Sequence, residues 1–348
     1  MNSRSIIGLT IQELEQVLRG WKQEAFRAKQ IFSWVYKKGI TDFARMSDLP
    51  RDLRKSLEEN FYLFDLKLVK VLRSKDRTAK FLLEAEDKSR IEAVAIPAEK
   101  RLTGCISTQI GCKFSCAFCA SGISGFKRNL TVAEMVSEAL FLKNNSAQQK
   151  LTHLVFMGTG EPLDNYENVL KAIRLVNSPE TFHIGARRIT ISTCGIIPGM
   201  KKLAGEGLQV ELSISLHAAD DKTRGRLMPV NKKYPLKELI AAAKGYSEKT
   251  GRQITFEYVL IKGVNSDLQN ALNLVKILKG MKLAKVNLIP ANPVKELALE
   301  PPAKKDILLF RDYLLKQGVN VTLRMPRGED IAAACGQLRL RDEKIYHS

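Results

Sequence analysis

Hydrophobic positions change their spacing twice along this chain, and each change marks a new kind of secondary structure. The first stretch carries apolar residues at helical spacing in three segments, 11–18, 26–36 and 53–61. Gly39 and Pro50 interrupt the helical spacing. This pattern predicts a small N-terminal helical module over residues 1–65.

The second stretch consists of short apolar runs that are rich in β-branched residues and separated by charged turns. The runs cover 66–72, 79–84 and 91–96. Runs of this length joined by such turns are typical of antiparallel hairpins. We therefore expect a short β connector over residues 66–98.

From residue 99 to residue 348 apolar strands alternate with amphipathic helices. The predicted strands cover 104–110, 152–157, 188–193, 209–216, 254–261, 285–289 and 320–323. Clear helices between them cover 132–143, 236–248 and 268–278. Such alternation predicts an α/β core with a parallel sheet that is covered on both faces. An open doubly wound sheet and a full or partial barrel both fit, and in either one the site lies at the carboxyl ends of the strands.

Small or polar residues cluster at these predicted strand ends, while the strand bodies stay apolar. Two glycines and a glutamate follow the strand 152–157, and serine, histidine or asparagine follows three later strands. The cluster predicts a binding site at one edge of the sheet. Its members are Gly158, Gly160, Glu161, Ser192, Ser215, Leu216, His217 and Asn292.

Composition adds a polyanionic partner to this picture. The 348 residues are 45% hydrophobic, enough for a large core, and contain 56 Lys and Arg against 37 Asp and Glu. The formal net charge is +19, and the basic residues are spread over the whole chain. A broad basic surface favours nucleic acid as the partner.

The N-terminus lacks the apolar core of a secretory signal, and no apolar run is long enough to span a membrane. We therefore expect no membrane association and a cytoplasmic location. Six cysteines in such a chain are too few and too unevenly placed for a disulfide scaffold, so they are expected to be ligands or reactants. Cys194, within an apolar run, is expected to be a core residue instead.

Three cysteines form a tight run in the loop after the first core strand. Cys112, Cys116 and Cys119 could hold zinc with a distant fourth ligand, or an iron–sulfur cube with one iron left open. Spacing alone does not separate these two kinds of site. A loop over the mouth of a large α/β core, which has little need of a structural metal, favours the cluster.

The spacing of these cysteines, with Phe118 before the third, resembles the signature of radical S-adenosylmethionine (SAM) enzymes. The resemblance implies a partial (βα)6-type barrel in which the three thiolates hold a [4Fe–4S] cluster and SAM takes the open iron. The segment 158–161 then corresponds to the part of the barrel beside the SAM amino group.

The flanking sequences resemble a narrower family, the RlmN/Cfr RNA adenine methyltransferases, over nearly the whole chain. The resemblance lies in the segments 105–112, 191–198, 215–217 and, most specifically, 333–338 around Cys335. Thr159 departs from the pattern, since relatives commonly carry methionine there. We expect SAM binding to survive this change because the glycines and Glu161 are retained.

The resemblance implies a reaction that uses two SAM molecules in each turnover. Cys335 takes a methyl group from the first, and a radical made from the second removes a hydrogen atom from that methyl group. The resulting carbon then joins the adenine, so that protein and RNA are covalently linked. Cys105 corresponds to the thiol that resolves this adduct through a transient disulfide, and Glu92 to the proton acceptor. Ser192, Ser215, Leu216, His217 and Asn292 correspond to SAM contacts.

The leading hypothesis is methylation of adenine C2 in 23S rRNA, with transfer RNA as a possible second substrate. An electron donor such as flavodoxin and a monomeric state are expected with it. A Cfr-type enzyme that methylates C8 and confers antibiotic resistance is one alternative. A non-enzymatic, zinc-stabilised RNA-binding protein and a radical enzyme for a small molecule are the others.

Overall fold

Three short helices form the N-terminal module, as the apolar spacing predicts. Thr10 starts the first helix with a capping box, in which its hydroxyl accepts from the Glu13 N–H and the Glu13 carboxylate accepts from the Thr10 N–H. A computed structural model describes residues 3–63, 66–123, 125–146, 149–292 and 299–338. The elements here are β1 (Arg4–Ser5), α1 (Ile11–Gly20), α2 (Phe26–Phe32) with a π-helical turn after it (Ser33–Lys37), α3 (Arg51–Asn60) and β2 (Phe61–Tyr62).

The predicted connector is a set of three antiparallel strands that extends the main sheet. Each strand pairs with the next, and the last pairs antiparallel with the first strand of the core. The outermost strand carries a register shift between Leu68 and Lys70. The strands are β3 (Leu66–Arg73), β4 (Ala79–Ala85), β5 (Arg90–Ala98) and the first core strand, β6 (Arg101–Ile106).

The predicted single strand over 104–110 is wrong in one respect, because the chain breaks it at Ser107. The Ser107 N–H donates to the Glu138 carboxylate, and its hydroxyl donates to the Glu92 carbonyl, so side-chain bonds replace the sheet ladder there. The chain resumes as a separate two-stranded ribbon. Its strands are β7 (Gln109–Gly111) and β8 (Phe126–Asn129).

Six further strands continue the sheet from β6, and every pair among them is parallel. Each strand lies beside its predecessor in the chain, so the order never reverses as it does in a doubly wound sheet. Right-handed crossovers then put the helices on one face, as in a barrel. The strands are β9 (Leu151–Phe156), β10 (Ile189–Thr193), β11 (Glu211–Ser215), β12 (Ile254–Leu260), β13 (Ala284–Pro290) and β14 (Asn320–Leu323).

The sheet ends at β14 on one side and at β3 on the other, which is the open, partial form of the barrel predicted. None of the helices in the described part of the chain has the length and apolar character needed to cross a bilayer. The core helices are α4 (Val132–Asn144), α5 (Tyr166–Asn177), α6 (Ile197–Leu203), α7 (Asp221–Leu227), α8 (Leu236–Thr250), α9 (Leu268–Leu278) and α10 (Lys304–Lys316).

Candidate active site

A cavity opens at the carboxyl ends of the parallel strands, where the alternating pattern predicts it. Together with its open mouth it spans about 1090 Å³. The cysteine loop forms one wall, and the chain around Cys335 forms another. Predicted residues on its wall are Cys112, Cys116, Cys119, Gly158, Gly160, Glu161, Ser192, Ser215, His217, Asn292 and Cys335.

The cysteine loop is closed by contacts between its own ends. Gly111 has φ +73°, and a Cβ at this position would lie 1.7 Å from the Gly125 carbonyl oxygen. The Cys112 N–H donates to that same oxygen over 3.1 Å, and the Cys119 N–H donates to the Cys116 carbonyl over 3.0 Å. These short-range bonds shape the loop, and the Ala117 N–H ties it to the core by donating to the Leu227 carbonyl over 2.8 Å.

The donor set of this loop fits a cluster better than a single ion. Among the described residues, no three His, Cys, Asp or Glu side chains converge as one metal ion requires. A cubane binds each thiolate to a different iron, so its ligands need not converge. Burial raises the pKa of Cys112 to about 12 and raises those of Cys116 and Cys119, so a bound metal must stabilise the thiolates.

The two glycines of the segment 158–161 are required by packing within the protein. A Cβ on Gly158 would lie 2.6 Å from the Ser107 hydroxyl oxygen and 2.7 Å from the Ile106 carbonyl oxygen. Gly160 has φ +108°, and a Cβ there would lie 2.6 Å from the Gln109 Cβ. Both glycines also line the cavity. Their expected approach to SAM stays a prediction, with internal packing as a second reason for glycine.

Glu161 is buried, and its carboxylate joins two strand ends. One oxygen accepts from the Cys194 N–H over 2.7 Å, and the other accepts from the Leu163 N–H over 3.0 Å. Burial raises the pKa of Glu161, although these N–H groups oppose the rise. Cys194 is itself buried, as expected for a core residue, and it also lines the cavity.

His217 follows β11 and presents a neutral ring to the cavity. Its Nδ1 accepts from the Val259 N–H over 3.0 Å, which leaves the ring proton on Nε2. Burial lowers the pKa of His217 to about 3, with Arg224 adding to the effect. The Phe118 ring packs edge-on against it at 4.4 Å between centroids.

The other strand ends divide between the cavity and the core. Ser192 and Ser215 line the cavity, whereas the Leu216 side chain is fully buried and is absent from the wall. Asn292 Oδ1 and Glu257 Oε2 are buried acceptor atoms of wall residues without a hydrogen-bond partner in the described part of the chain. Such atoms call for a donor, and SAM offers an ammonium, hydroxyls and an amino group.

Residues 328–338, named here the Cys335 segment, cross the cavity mouth and are held from several directions. Asn292 donates to the Cys335 carbonyl over 2.9 Å, so its amide is partly engaged within the protein. The cysteine loop contributes the Ala120 N–H, which donates to the Gly336 carbonyl over 2.8 Å. The Cys335 thiol is exposed and lines the cavity.

Cys105 lies beneath this segment, at the end of β6. It is buried in a small apolar cluster with Val94, Ala333 and Leu338, and both it and Cys335 are free thiols. Burial raises the pKa of Cys105 to about 12; Cys335 adds to the rise and Arg324 opposes it. The structure therefore brings the two predicted reactive cysteines into one neighbourhood, although Cys105 is not on the cavity wall.

Glu92 lies on β5 and is buried, whereas a glutamate in a β-strand usually faces solvent. Its Oε1 is 2.9 Å from the Lys80 ammonium. Glu92 lines a second cavity, beside Gln109, Thr159 and Leu338, and not the cavity that contains Cys335. Its predicted role as proton acceptor therefore depends on a substrate that reaches both places.

Comparisons with known proteins agree with this geometry. A family model described as the radical SAM superfamily matches residues 106–275, and one described as the ribosomal RNA large subunit methyltransferase N-terminal domain matches residues 5–63. The chain is 44% identical over 337 residues to a probable dual-specificity RNA methyltransferase RlmN of Dictyoglomus turgidum, covering 96% of both chains. It is 46% identical over 332 residues to the RlmN so described from a Thermoanaerobacter species, covering 95% of this chain and 96% of the relative.

The chain belongs to the RlmN family. A crystal structure of a radical SAM methyltransferase from Sphaerobacter thermophilus is 42% identical and superposes with a TM-score of 0.94, covering 97% of this chain and 99% of that one. RlmN membership confirms the predicted family, enzyme class and fold, and it implies a [4Fe–4S] cluster and SAM as cofactors. It overturns the non-enzymatic zinc hypothesis and does not favour the Cfr-type alternative.

Sequence reasoning missed several charged residues of this RlmN-family site. Arg224 is fully buried, and its guanidinium donates to the carbonyls of Cys194, Ser215 and Leu216, which fixes two strand ends. Glu257 and Arg324 both line the cavity. Glu257 could have been noticed, because it is the only charged residue in the apolar strand 254–261. Arg224 gives no comparable signal.

Proposed function

We propose that this protein methylates C2 of an adenine in 23S rRNA, with transfer RNA as a second substrate. Methyl transfer proceeds through methylated Cys335 and a transient covalent adduct between protein and RNA. The observation that carries the proposal is that Cys335 lines the same cavity as Cys112, Cys116 and Cys119. A thiol that only supported the fold would have no reason to be exposed there.

Cys112, Cys116 and Cys119 would hold the cluster, and the strand ends opposite them would hold SAM. Ser192, Ser215, His217 and Asn292 offer polar atoms along that wall, beside Gly158, Gly160 and Glu161. When bound, the cluster and SAM supply a methyl group and the radical chemistry that activates it. Adenine C2 is a poor nucleophile, so a radical route is needed at this carbon.

Cys335 would carry the transferred carbon as a thioether, with the carbon between its sulfur and the base. Release of the methylated RNA needs two events on the protein side. Glu92 accepts the proton that leaves the ring, and the Cys105 sulfur attacks the Cys335 sulfur. One electron leaves the adduct together with the ring proton. The sulfur–carbon bond then breaks with its electron pair on the carbon, which takes up a proton to become the methyl group. A Cys105–Cys335 disulfide forms, and cellular thiols later reduce it.

Burial of Cys105 supports this order of events. With a pKa near 12, the Cys105 thiol is almost entirely protonated at neutral pH. It is therefore a weak nucleophile while the enzyme waits for RNA. Attack becomes favourable once Cys335 carries the adduct, because a better leaving group then sits on its sulfur.

We assign RNA contact to the N-terminal module over residues 1–65, and the chemistry to the core over residues 99–348. The strands of residues 66–98 join the two. Exposed lysines and arginines of the module support this division, among them Lys22, Lys29, Lys37, Arg51 and Lys55. A monomer in the cytoplasm, reduced by a donor such as flavodoxin, completes the proposal.

The test is an anaerobic reaction of the reconstituted enzyme with SAM, a reductant and an unmodified 23S rRNA fragment. Mass spectrometry of the nucleosides distinguishes 2-methyladenosine from 8-methyladenosine. The wild type should form the 2-methyl isomer, and Cys335→Ala should form neither while keeping its iron. The 8-methyl isomer would support the Cfr-type alternative, and methylation by Cys335→Ala would refute the cysteine intermediate.

A further inference from the structure

Lys80 is a buried lysine that joins two parts of the molecule far apart in sequence. Its side chain, on β4, is 5% exposed. The ammonium lies 2.9 Å from Glu92 Oε1 and donates over 3.0 Å to the carbonyl oxygen of Ala332, in the Cys335 segment. One cation thus contacts both the predicted proton acceptor and the chain that carries the reactive thiol.

The register of the sheet puts these groups on a single face. Lys80 pairs with Val94, and Val94 pairs with Cys105, so the three form one row across β4, β5 and β6. Side chains in one row point to the same side, as do residues two apart along a strand, which adds Glu92. The Cys335 segment crosses this row, since Ala333 packs with Val94 and Cys105.

A buried lysine is costly unless its charge is paired and its protons are bonded. An apolar residue at position 80 would fill the same space without that cost. Here the ammonium neutralises the buried Glu92 carboxylate. It also donates to the Ala332 carbonyl, which accepts no other hydrogen bond within the described part of the chain. The buried charge therefore connects Glu92 with the Cys335 segment.

The backbone at the far end of this connection is held in an uncommon conformation. Ala332 has φ +50°, which a residue with a side chain adopts only when its surroundings enforce it. Four residues earlier, the Gly328 N–H donates to Asp76 Oδ2 over 3.0 Å, at the β3–β4 turn. A Cβ on Gly328 would lie 2.8 Å from the Thr78 methyl carbon, so this approach requires glycine.

We propose that Lys80 is a positioning residue that holds the Cys335 segment in register with Glu92 and Cys105. The β3–β4 turn fixes the start of the segment, and Lys80 fixes the residue three positions before Cys335. The antiparallel strands are therefore part of the catalytic apparatus. This inference rests on the proposed roles of Cys335 and Glu92.

Lys80→Met tests the inference, because methionine is one atom shorter but keeps nearly the volume of the side chain, while it removes the charge and the donors. We expect kcat for RNA methylation to fall about 100-fold, as a misplacement near 1 Å can cause. The KM for RNA, the iron content and the affinity for SAM should match the wild type. SAM cleavage should continue without methyl transfer, which raises the ratio of 5′-deoxyadenosine to methyladenosine.

Lys88→Met is the matched control. Lys88 lies in the turn between β4 and β5, its side chain is 81% exposed, and it pairs only with Glu84 among the described residues. This variant should retain wild-type kcat. Lys80→Arg keeps a charged donor, so it should recover part of the loss seen in Lys80→Met, whereas a purely space-filling role predicts that the longer arginine is worse.

Unchanged kcat in Lys80→Met would overturn the inference, and so would a parallel loss of iron, SAM affinity and kcat. If Lys80→Met does not fold, Asp76→Ala decides, because Asp76 is at the surface and its loss frees the Gly328 N–H. We expect about a 10-fold lower kcat there, and a wild-type kcat would overturn the inference. Cys335→Ala is run beside them: if it still methylates RNA, the proposed function itself fails, whatever Lys80 does.

Discussion

The cysteine loop and the Cys335 segment face each other across one cavity, and they are supported differently. The loop is closed mainly by bonds between neighbours, such as Cys112 to Gly125, with one bond to Leu227 in the core, and its cysteines are half-buried. The Cys335 segment is held by residues more than 200 positions away, such as Lys80 and Ala120, and its thiol is exposed. A metal ligand needs a fixed place, whereas a thiol that carries a carbon must also be reached by its substrate.

The largest effects should come from the cysteines themselves, and they should differ between the two regions. Cys116→Ala should lose both iron and methylation, because the loop is proposed to hold the cluster. Cys335→Ala should lose methylation by more than about 1000-fold, as for removal of a covalent nucleophile, yet keep its iron. Iron assay and visible absorbance, measured beside activity, separate the two. Loss of iron in Cys335→Ala would mean that the regions are not independent.

Cys105→Ala sharpens the comparison by removing the thiol that we propose releases the RNA. We expect no more than one equivalent of RNA to react, and the protein to remain attached to it. A denaturing gel and mass spectrometry of nuclease-treated protein detect this adduct. Cys105→Ala/Cys335→Ala is the control and should show no adduct. Multiple turnovers by Cys105→Ala would contradict the resolving role.

Substitution of one glycine in each region tests the same comparison through the backbone, with smaller expected effects. Gly111→Ala places a Cβ 1.7 Å from the Gly125 carbonyl oxygen, so the cysteine loop cannot close and iron occupancy should fall. Gly336 has φ +80°, and a Cβ there would lie 3.0 Å from the Phe118 carbonyl oxygen. Gly336→Ala should therefore displace Cys335 rather than open the cysteine loop. We expect Gly336→Ala to keep its iron and lose roughly 10-fold or more in kcat. Equal iron loss in both variants would argue against separate support.

The smallest effect concerns the carboxylate that anchors the Cys335 segment. Partial burial disfavours ionised Asp76, but hydrogen bonds from Thr78, Gly328 and Ser74 outweigh it and lower the pKa of Asp76 to about 2. The ionised form is thus stabilised by folding. Its contribution is present above pH 4 and is lost as the pH falls through about 2.

Denaturant unfolding of the wild type and Asp76→Ala between pH 2 and pH 6 measures this contribution. Because the Asp76 side chain is 28% exposed and its charge is partly screened by solvent, the difference in unfolding free energy should be about 1 kcal/mol at pH 6. It should shrink towards pH 2. A difference that does not change with pH would mean that the Asp76 charge is not what anchors Gly328.

Most of the fold followed from periodicity, because strands and helices of the core bury their apolar faces in a regular way. The order of the strands did not follow from periodicity, since a doubly wound sheet and a barrel share the same alternation of strands and helices. Resemblance to the radical SAM signature decided between them. The break at Ser107 was missed because it depends on Glu138, which lies on a helix 31 positions later.

The candidate site likewise contains residues that the sequence predicted and residues that it did not. The loop cysteines were visible from their spacing, because their geometry is local. Lys80 and Arg224 were not, because a buried cation in a strand or short helix looks like a surface residue until its partners are known. Glu92 was placed by resemblance alone, and its burial beside Lys80 became apparent only in three dimensions.

The outer strand β3 has a consequence for how the protein behaves at high concentration. An unpaired strand edge invites pairing with the edge of another molecule, which leads to aggregation. Here the edge carries exposed Lys67 and Arg73, and the register shift near Leu68 interrupts its regular ladder. The same strand that ends in the turn anchoring the Cys335 segment therefore combines charge and a register shift, which oppose edge pairing, with exposed Leu68 and Val69, which favour it.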